Sequence, residues 1–147
     1  MVTLRRFSRD DVKILQKKQL PNITEDEIAA LIAEWDGGSY QGKHFEMLAV
    51  VSDGAVAGSV SLLAHSHSVV SFGTEIFPEE RRKGLAYGAM RLLLERAAEQ
   101  GYRIVLQQVR ADNEASRHLH EKLGFESDGY RYRNEKDREV VLYLKAL

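Results

Sequence analysis

Residues 77–88 read Phe77-Pro-Glu-Glu-Arg-Arg-Lys-Gly-Leu-Ala-Tyr-Gly88, and the reading of this stretch decides the fold. It joins a β-type run, closed by Pro78, to a long helical pattern, and it sets Arg81, Arg82 and Lys83 immediately before Gly84. The start of a helix presents unpaired backbone N–H groups and the positive end of the dipole, an arrangement suited to phosphate. Gly84 and Ala86 put little side chain in the way of an anion approaching the main chain. The turn therefore reads as a cradle for a pyrophosphate; a solvated basic helix start is the blander reading of the same residues. Two other phosphate motifs are excluded. A Walker loop needs Lys followed by Ser or Thr after its second glycine, whereas Leu85 follows Gly84. A dinucleotide fingerprint needs three spaced glycines in a parallel βαβ unit, and the strands before this turn read as hairpins.

Working outward, the spacing predicts a helix over Arg82–Gln100, with Leu85, Ala89, Leu92, Leu93 and Ala97 on one face and Gly101 at its end. Upstream, Glu46–Ser52, Ala55–His65 and His67–Phe77 read as an antiparallel meander, with Asp53-Gly54 as its first turn. Downstream come a strand at Tyr102–Val109, a helix from Asp112/Asn113 to Gly124, and a hairpin of Phe125–Tyr132 with Glu139–Leu144. At the start, Ser8 and Asp11 open a helix that runs to Pro21, and Thr24-Glu-Asp-Glu27 has the capping-box form. Ile28, Leu31, Ile32 and Trp35 follow on one face, a core stripe, and Thr3–Phe7 offers a first strand. The order is ααβββαβαββ, an α/β (α+β) class with a mixed, mostly antiparallel central sheet. The whole span 1–147 reads as one domain.

Composition narrows the function. Lysine plus arginine total 21 against 22 aspartate plus glutamate, a formal charge of −1, so no global field favours nucleic acid or an anionic membrane. There is no cysteine, which excludes a disulfide scaffold, a thiol nucleophile and a thiolate-bound metal. The longest apolar run, Ile28–Ala33, is six residues, far below the ~20 that span a bilayer. Met1–Phe7 carries a basic pair and no apolar stretch of the signal-peptide kind, so a cytoplasmic protein is expected. His65 and His67 are two apart, compatible with one strand face, but no further ligands accompany them and no metal is expected.

The turn Arg81-Arg-Lys-Gly84-Leu-Ala86 resembles the phosphate loop of the GNAT superfamily of acetyl-CoA-dependent N-acetyltransferases, whose form is Arg/Gln-x-x-Gly-x-Gly/Ala. A second segment, Asn113-Glu-Ala-Ser116-Arg-His-Leu-His120-Glu-Lys-Leu-Gly124-Phe125, resembles the family's Asn-x-x-Ala/Ser-x-x-Leu-Tyr-Glu-Lys-x-Gly-Phe. Ser116 is similar to the branch holding the ribosomal-protein N-terminal acetyltransferases. The resemblance implies helices on both faces of the sheet and a cleft where the fourth and fifth strands, His67–Phe77 and Tyr102–Val109, splay apart. It implies acetyl-CoA as cosubstrate. The pantetheine arm would pair with the backbone at Ile76, the N–H groups of Arg81, Arg82, Lys83, Gly84, Leu85, Ala86 and Tyr87 would hold the pyrophosphate, and Asn113 would reach the arm or thioester.

The resemblance also implies direct transfer to a primary amine (a peptide N-terminus, a small amine or an antibiotic), which asks for three devices. An alkylammonium of pKa ~10 must lose a proton; Glu75, near the end of the strand entering the turn, is the first choice of base. The developing oxyanion needs a donor, for which the Ile76 N–H is the family's candidate. The leaving thiolate, with a free pKa of about 8.5, gains from a hydrogen bond or proton. Ser116 is the first choice there and His120 the second, His120 standing where the family commonly has tyrosine. A non-catalytic acyl-CoA-binding domain on the same fold is the alternative reading, and a homodimer is left open. Gln107 and Gln108 interrupt an apolar strand, and both an amine-channel lining and edge exposure account for them. Tyr130 and Tyr132 leave core packing and substrate contact equally open.

Overall fold

The computed structural model describes residues 1–147. Eight strands form one sheet: β1 (Val2–Arg6), β2 (Ser39–Tyr40), β3 (Lys43–Ser52), β4 (Ala55–Ala64), β5 (Val69–Ile76), β6 (Ile104–Arg110), β7 (Arg131–Arg133) and β8 (Glu139–Ala146). The helices are α1 (Val12–Lys18), α2 (Glu25–Asp36), α3 (Leu85–Glu99) and α4 (Glu114–Lys122). Strand order is β1-β3-β4-β5-β6-β8-β7, with β2 folded onto the start of β3. Every pairing is antiparallel except β5 with β6, the pair that α3 connects. A parallel pair requires such a crossover, because a tight turn cannot bring the chain back in the same direction.

Local chemistry accounts for the boundaries. Asp53 and Gly54 both take positive φ, at 51° and 80°, as a two-residue hairpin turn demands. Thr24 and Glu27 exchange reciprocal bonds of 3.1 Å at the start of α2, satisfying two amides that the helix leaves open. At the start of α1, Asp11 accepts from the Ser8 N–H at 2.8 Å and is gripped by both Arg5 guanidinium nitrogens, at 2.8 and 3.0 Å. That buried carboxylate ties the first helix to the edge strand.

The helices divide between the two faces. On one, α1 and α2 close a small core of Phe7, Val12, Leu15, Ile28, Ile32 and Ala49, with Trp35 tilted against Phe7 at 5.5 Å between ring centroids. On the other, α3 contributes Leu85, Ala89, Met90, Leu93 and Ala97 to the main core with Val60, Leu62, Phe72, Val105 and Val141. Strand side chains alternate between the faces. Phe72 and Ile76 of β5 belong to the main core, so Glu75 projects towards the opposite face.

The functionally important feature is an interruption. β5 and β6 pair only at Val69–Ile104 and Val70–Val105; beyond that the strands separate. β5 leans instead on β4, where a register shift lies beside Val50/Val51 and Gly58 opposes Ile76. A Cβ added at Gly58 would lie 2.2 Å from the Glu75 carbonyl oxygen and 2.9 Å from the Ile76 Cα. Only glycine lets the end of β5 approach β4 this closely and leave β6 behind.

Four readings of the sequence are corrected. α3 starts at Leu85 rather than Arg82, because Arg82 and Gly84 both take left-handed φ, at 66° and 76°. Phe125–Tyr132 is no continuous strand: Glu126 makes an isolated bridge to Leu144, and pairing resumes only at Arg131. In between, Ser127 and Asp128 side chains accept from the Gly129 and Tyr130 N–H groups, so the backbone turns on itself. His65 and His67 both lie in the bend between β4 and β5 rather than on a strand face, and His65 bonds Ser71 Oγ at 2.6 Å. With β2 present, the splay falls between the fifth and sixth strands. No helix is long and apolar enough to cross a membrane.

Two measurements test this frame. Gly58→Ala is expected to cost about 1–3 kcal/mol of overpacking, read from urea unfolding; a wild-type midpoint would show that β4 and β5 do not meet as described. The Arg5 hydrogen bond holds the Asp11 carboxyl below its ordinary value of 3.8, against the opposing effect of burial. A depressed acid stabilises the fold above its unfolded pKa and loses that contribution as pH falls through the folded one. The stability gap between wild type and Asp11→Asn should therefore be full at pH 7 and close progressively below about pH 4.

Candidate functional site

The splay opens into a cleft of about 630 Å³, whose walls are β5, β6, the turn before α3 and the first turns of α4. At its mouth lies the basic turn. Arg81 donates its N–H to the Pro78 carbonyl, but none of the N–H groups of residues 82–87 finds an acceptor within the chain. Gly88 is the first to bond inside the helix, to the Gly84 carbonyl at 3.1 Å. Gly84 is the N-cap and has no side chain to satisfy its own helix, so the amides stay open and form a candidate anion site. No atom lies within 4 Å of a Cβ placed on Gly84; its left-handed φ, not crowding, is what calls for glycine.

The three cations are not equivalent. Arg81 folds back onto β5, donating from Nε to the Ile76 carbonyl at 3.0 Å and from Nη2 to Glu75 Oε1 at 3.2 Å. Lys83 pairs with Glu80 at 3.0 Å, and Arg82 has no carboxylate partner. Lys122 at the end of α4 does not line the cleft, but it places its ammonium 4.6 Å from the centre of the ring of Tyr87, which does, adding positive charge from an element that the motif does not include.

Inside the cleft, the exposed edge of β5 is legible from one pair of bonds. The Phe72 N–H and C=O both point towards β6 and are taken by the Gln107 amide, at 2.7 and 3.1 Å. In-plane groups alternate along a strand, so those of Thr74 and Ile76 point the same way. They meet no β6 backbone there, since pairing has ended, although the Ile76 carbonyl is held by Arg81. An extended polar chain laid along this edge can pair as a missing strand would.

α4 closes the other wall. Asn113 is its N-cap, accepting from the Ser116 N–H at 3.0 Å. Ser116 and His120, one turn apart, both line the cleft. The His120 Nδ1–H donates to the Ser116 carbonyl at 2.7 Å, and Nε2 accepts from the Gln107 amide at 3.3 Å. Burial pushes its pKa below the ordinary value, with the Ser116 carbonyl opposing. The imidazole is thus neutral, and its one ring proton is committed within the helix. Ser116 Oγ has only the His120 ring for a neighbour, at 3.5 Å, leaving its O–H available to the cleft.

Glu75, Ile76, Asn113, Ser116 and His120 therefore meet in one cleft with Arg81, Arg82, Gly84, Leu85, Ala86 and Tyr87; Lys83 does not line it and stands at the rim. Gln107 and Gln108, for which the sequence left channel lining and edge exposure open, both line this cleft, whereas Lys122, packed on the Tyr87 ring, escaped the sequence reading. Gln107 was visible as a polar interruption of a strand, but Lys122 carries no signal, since lysine near a helix end is commonplace. Tyr130 is exposed in the loop before β7 and Tyr132 half-buried within it, both outside this cleft. No three His, Asp or Glu residues are grouped as metal ligands.

The model of the Acetyltransferase (GNAT) family matches residues 10–125. No curated protein matches the sequence. Among solved structures, spermidine N-acetyltransferase from Vibrio cholerae, in complex with CoA and spermine, superposes with a TM-score of 0.78 at 20% identity, covering 99% of this chain and 95% of that one. An acetyltransferase from Salmonella typhimurium that modifies the N-terminal serine of ribosomal protein L7/L12 gives 0.82 at 17% identity, with 99% and 95% covered. The Microcin C7 self-immunity acetyltransferase MccE, in complex with acetyl-CoA and AMP, gives 0.79 at 14% identity, with 99% and 92% covered. The mixed sheet, the splayed strand pair and the unsatisfied amides before α3 agree with that assignment, and this chain belongs to the GNAT acetyltransferase family.

Proposed function

We propose that the protein transfers the acetyl group of acetyl-CoA directly to a primary amine, and that the cleft between β5 and β6 is where it does so. The observation that carries this reading is the run of N–H groups from Arg82 to Tyr87 without an acceptor in the chain, opening onto an unpaired strand edge. The amides would hold the pyrophosphate, with Arg82 and Lys122 adding charge; the backbone at Thr74 and Ile76 would pair with the pantetheine amides.

The acid and the base stand on opposite faces of the sheet. Glu75 projects towards the face of α1 and α2, and its Oε2 is free of the Arg81 ion pair, so it can take the proton of an amine arriving from that side. With the Ile76 N–H engaged by the arm, the Thr74 N–H, the next open donor inward on the same edge, donates to the carbonyl oxygen as negative charge develops there. Ser116, on the α4 side, offers its O–H to the departing thiolate, while His120 holds the turn that carries Ser116. Asn113 sets the start of the helix and lines the cleft with its remaining amide group. Two of the structural neighbours act on a polyamine and on a peptide N-terminus, and both offer primary amines. That supports the acceptor class.

Thiol release from acetyl-CoA, measured against a panel of N-terminal peptides, polyamines and aminoglycosides, should identify an acceptor that gains one acetyl group by mass. Tight CoA binding with no release for any amine would favour an acyl-CoA sensor instead. Glu75→Gln is expected to lower kcat by at least about 100-fold, the low end of general-base effects, with acetyl-CoA affinity nearly unchanged; wild-type turnover would remove Glu75 from the reaction. Ser116→Ala should lower kcat by about tenfold or more, the loss of one hydrogen bond to a charged group, and unchanged kcat in single-turnover measurements would exclude it as the thiolate's partner.

A further inference from the structure

The cleft closes inward in steps. After the last backbone pair, Val70 with Val105, the strands are joined only by side chains: Ser71 Oγ donates to the Leu106 carbonyl, and the Gln107 amide spans to Phe72. Beyond Phe72 the edge is open. Gln107 is therefore the innermost wall of the cleft, and it is buried, with 7% of its surface exposed. Its oxygen accepts from the Phe72 N–H, and its two N–H groups donate to the Phe72 carbonyl and to His120 Nε2. No buried side-chain nitrogen or oxygen in the protein lacks a partner. The amide is fully satisfied and fixed from three directions.

We infer that Gln107 is a specificity-determining stop: it sets the depth of the cleft and limits the transferred acyl group to acetyl size. The inference rests on the acetyl-transfer reading above. With the phosphates at residues 82–87 and the arm along Ile76 and Thr74, the acyl end lies nearest to Phe72, Gln107 and His120. An apolar wall there would yield to one more methylene by small shifts, and apolar pockets discriminate weakly on length. An amide in three hydrogen bonds does not yield in that way. Displacing it strands the Phe72 N–H and C=O in a buried place, which is far less tolerable than a loose van der Waals fit. His120 serves this arrangement as a positioning residue, since its neutral ring accepts the second amide N–H.

The test is a series of acetyl-, propionyl- and butyryl-CoA, each assayed for kcat/KM with the acceptor found in the amine panel. Wild type should lose at least tenfold from acetyl to propionyl and more again to butyryl. Gln107→Ala should raise the propionyl-to-acetyl ratio at least tenfold. Val105→Ala removes a fully buried side chain from the same strand and face but outside the cleft, and it should lower thermal stability while leaving the ratio at the wild-type value. Equal use of the three thioesters by wild type overturns the stop without any variant, as does a ratio within twofold of wild type in folded Gln107→Ala, or an equal change in Val105→Ala. Absence of thiol release from acetyl-CoA in wild type would instead remove the acetyl-transfer reading itself.

Discussion

Backbone pairing between β5 and β6 stops after Val70, and the chemistry available to this chain depends on that stop. A sheet buries its N–H and C=O groups by pairing them, so a strand that parts from its neighbour inside a domain exposes groups that must find other partners. Two devices make the parting tolerable here. Gly58 gives β5 room to lean onto β4, where a side chain would collide with the Glu75 carbonyl. Gln107 fills the vertex from the β6 side and takes both polar groups of Phe72. Between them they leave a short strand edge with room for a polar chain.

The same geometry arranges the groups proposed to react. Alternation along β5 sends Glu75 to one face while Phe72 and Ile76 pack into the core of the other, where α4 brings Ser116. In the proposed transfer, the amine and the leaving thiolate would thereby be served from opposite sides of one cleft. The phosphate turn shows a comparable economy. Arg81 acts on its own strand, holding the Ile76 carbonyl and Glu75, and most of the proposed work of receiving an anion would fall to main-chain amides, which cannot be neutralised by neighbouring carboxylates as Lys83 is by Glu80.

His120 shows how tertiary context alters the meaning of a residue. In a sequence, a histidine one turn after a serine on a helix reads as a proton donor poised near neutral pH. In the folded chain it packs edge-on to Phe125 at 5.0 Å and tilted to Tyr143 at 5.6 Å, and it is buried and neutral. Its ring completes the hydrogen-bond chain that runs from Phe72 through Gln107 to the Ser116 carbonyl. Burial and partner geometry decide between these roles.

The amino-acid sequence by itself determined the order of the main strands and helices but for β2, the hairpin at Asp53-Gly54, the capping box at Thr24 and the basic glycine turn before α3, because each follows from contacts within a few residues. It also marked Glu75, Ser116 and the basic turn, whose chemistry lies in the residue types and their spacing. Tertiary structure alone decided where β5 leaves β6, that Arg81 turns back onto its strand, that Lys122 faces Tyr87 and that Gln107 closes the cleft. Those features join residues distant in the chain, such as Phe72 with Gln107, and rest on which polar groups remain unpaired once the sheet has formed. Local propensity carries no record of that; only the assembled sheet does.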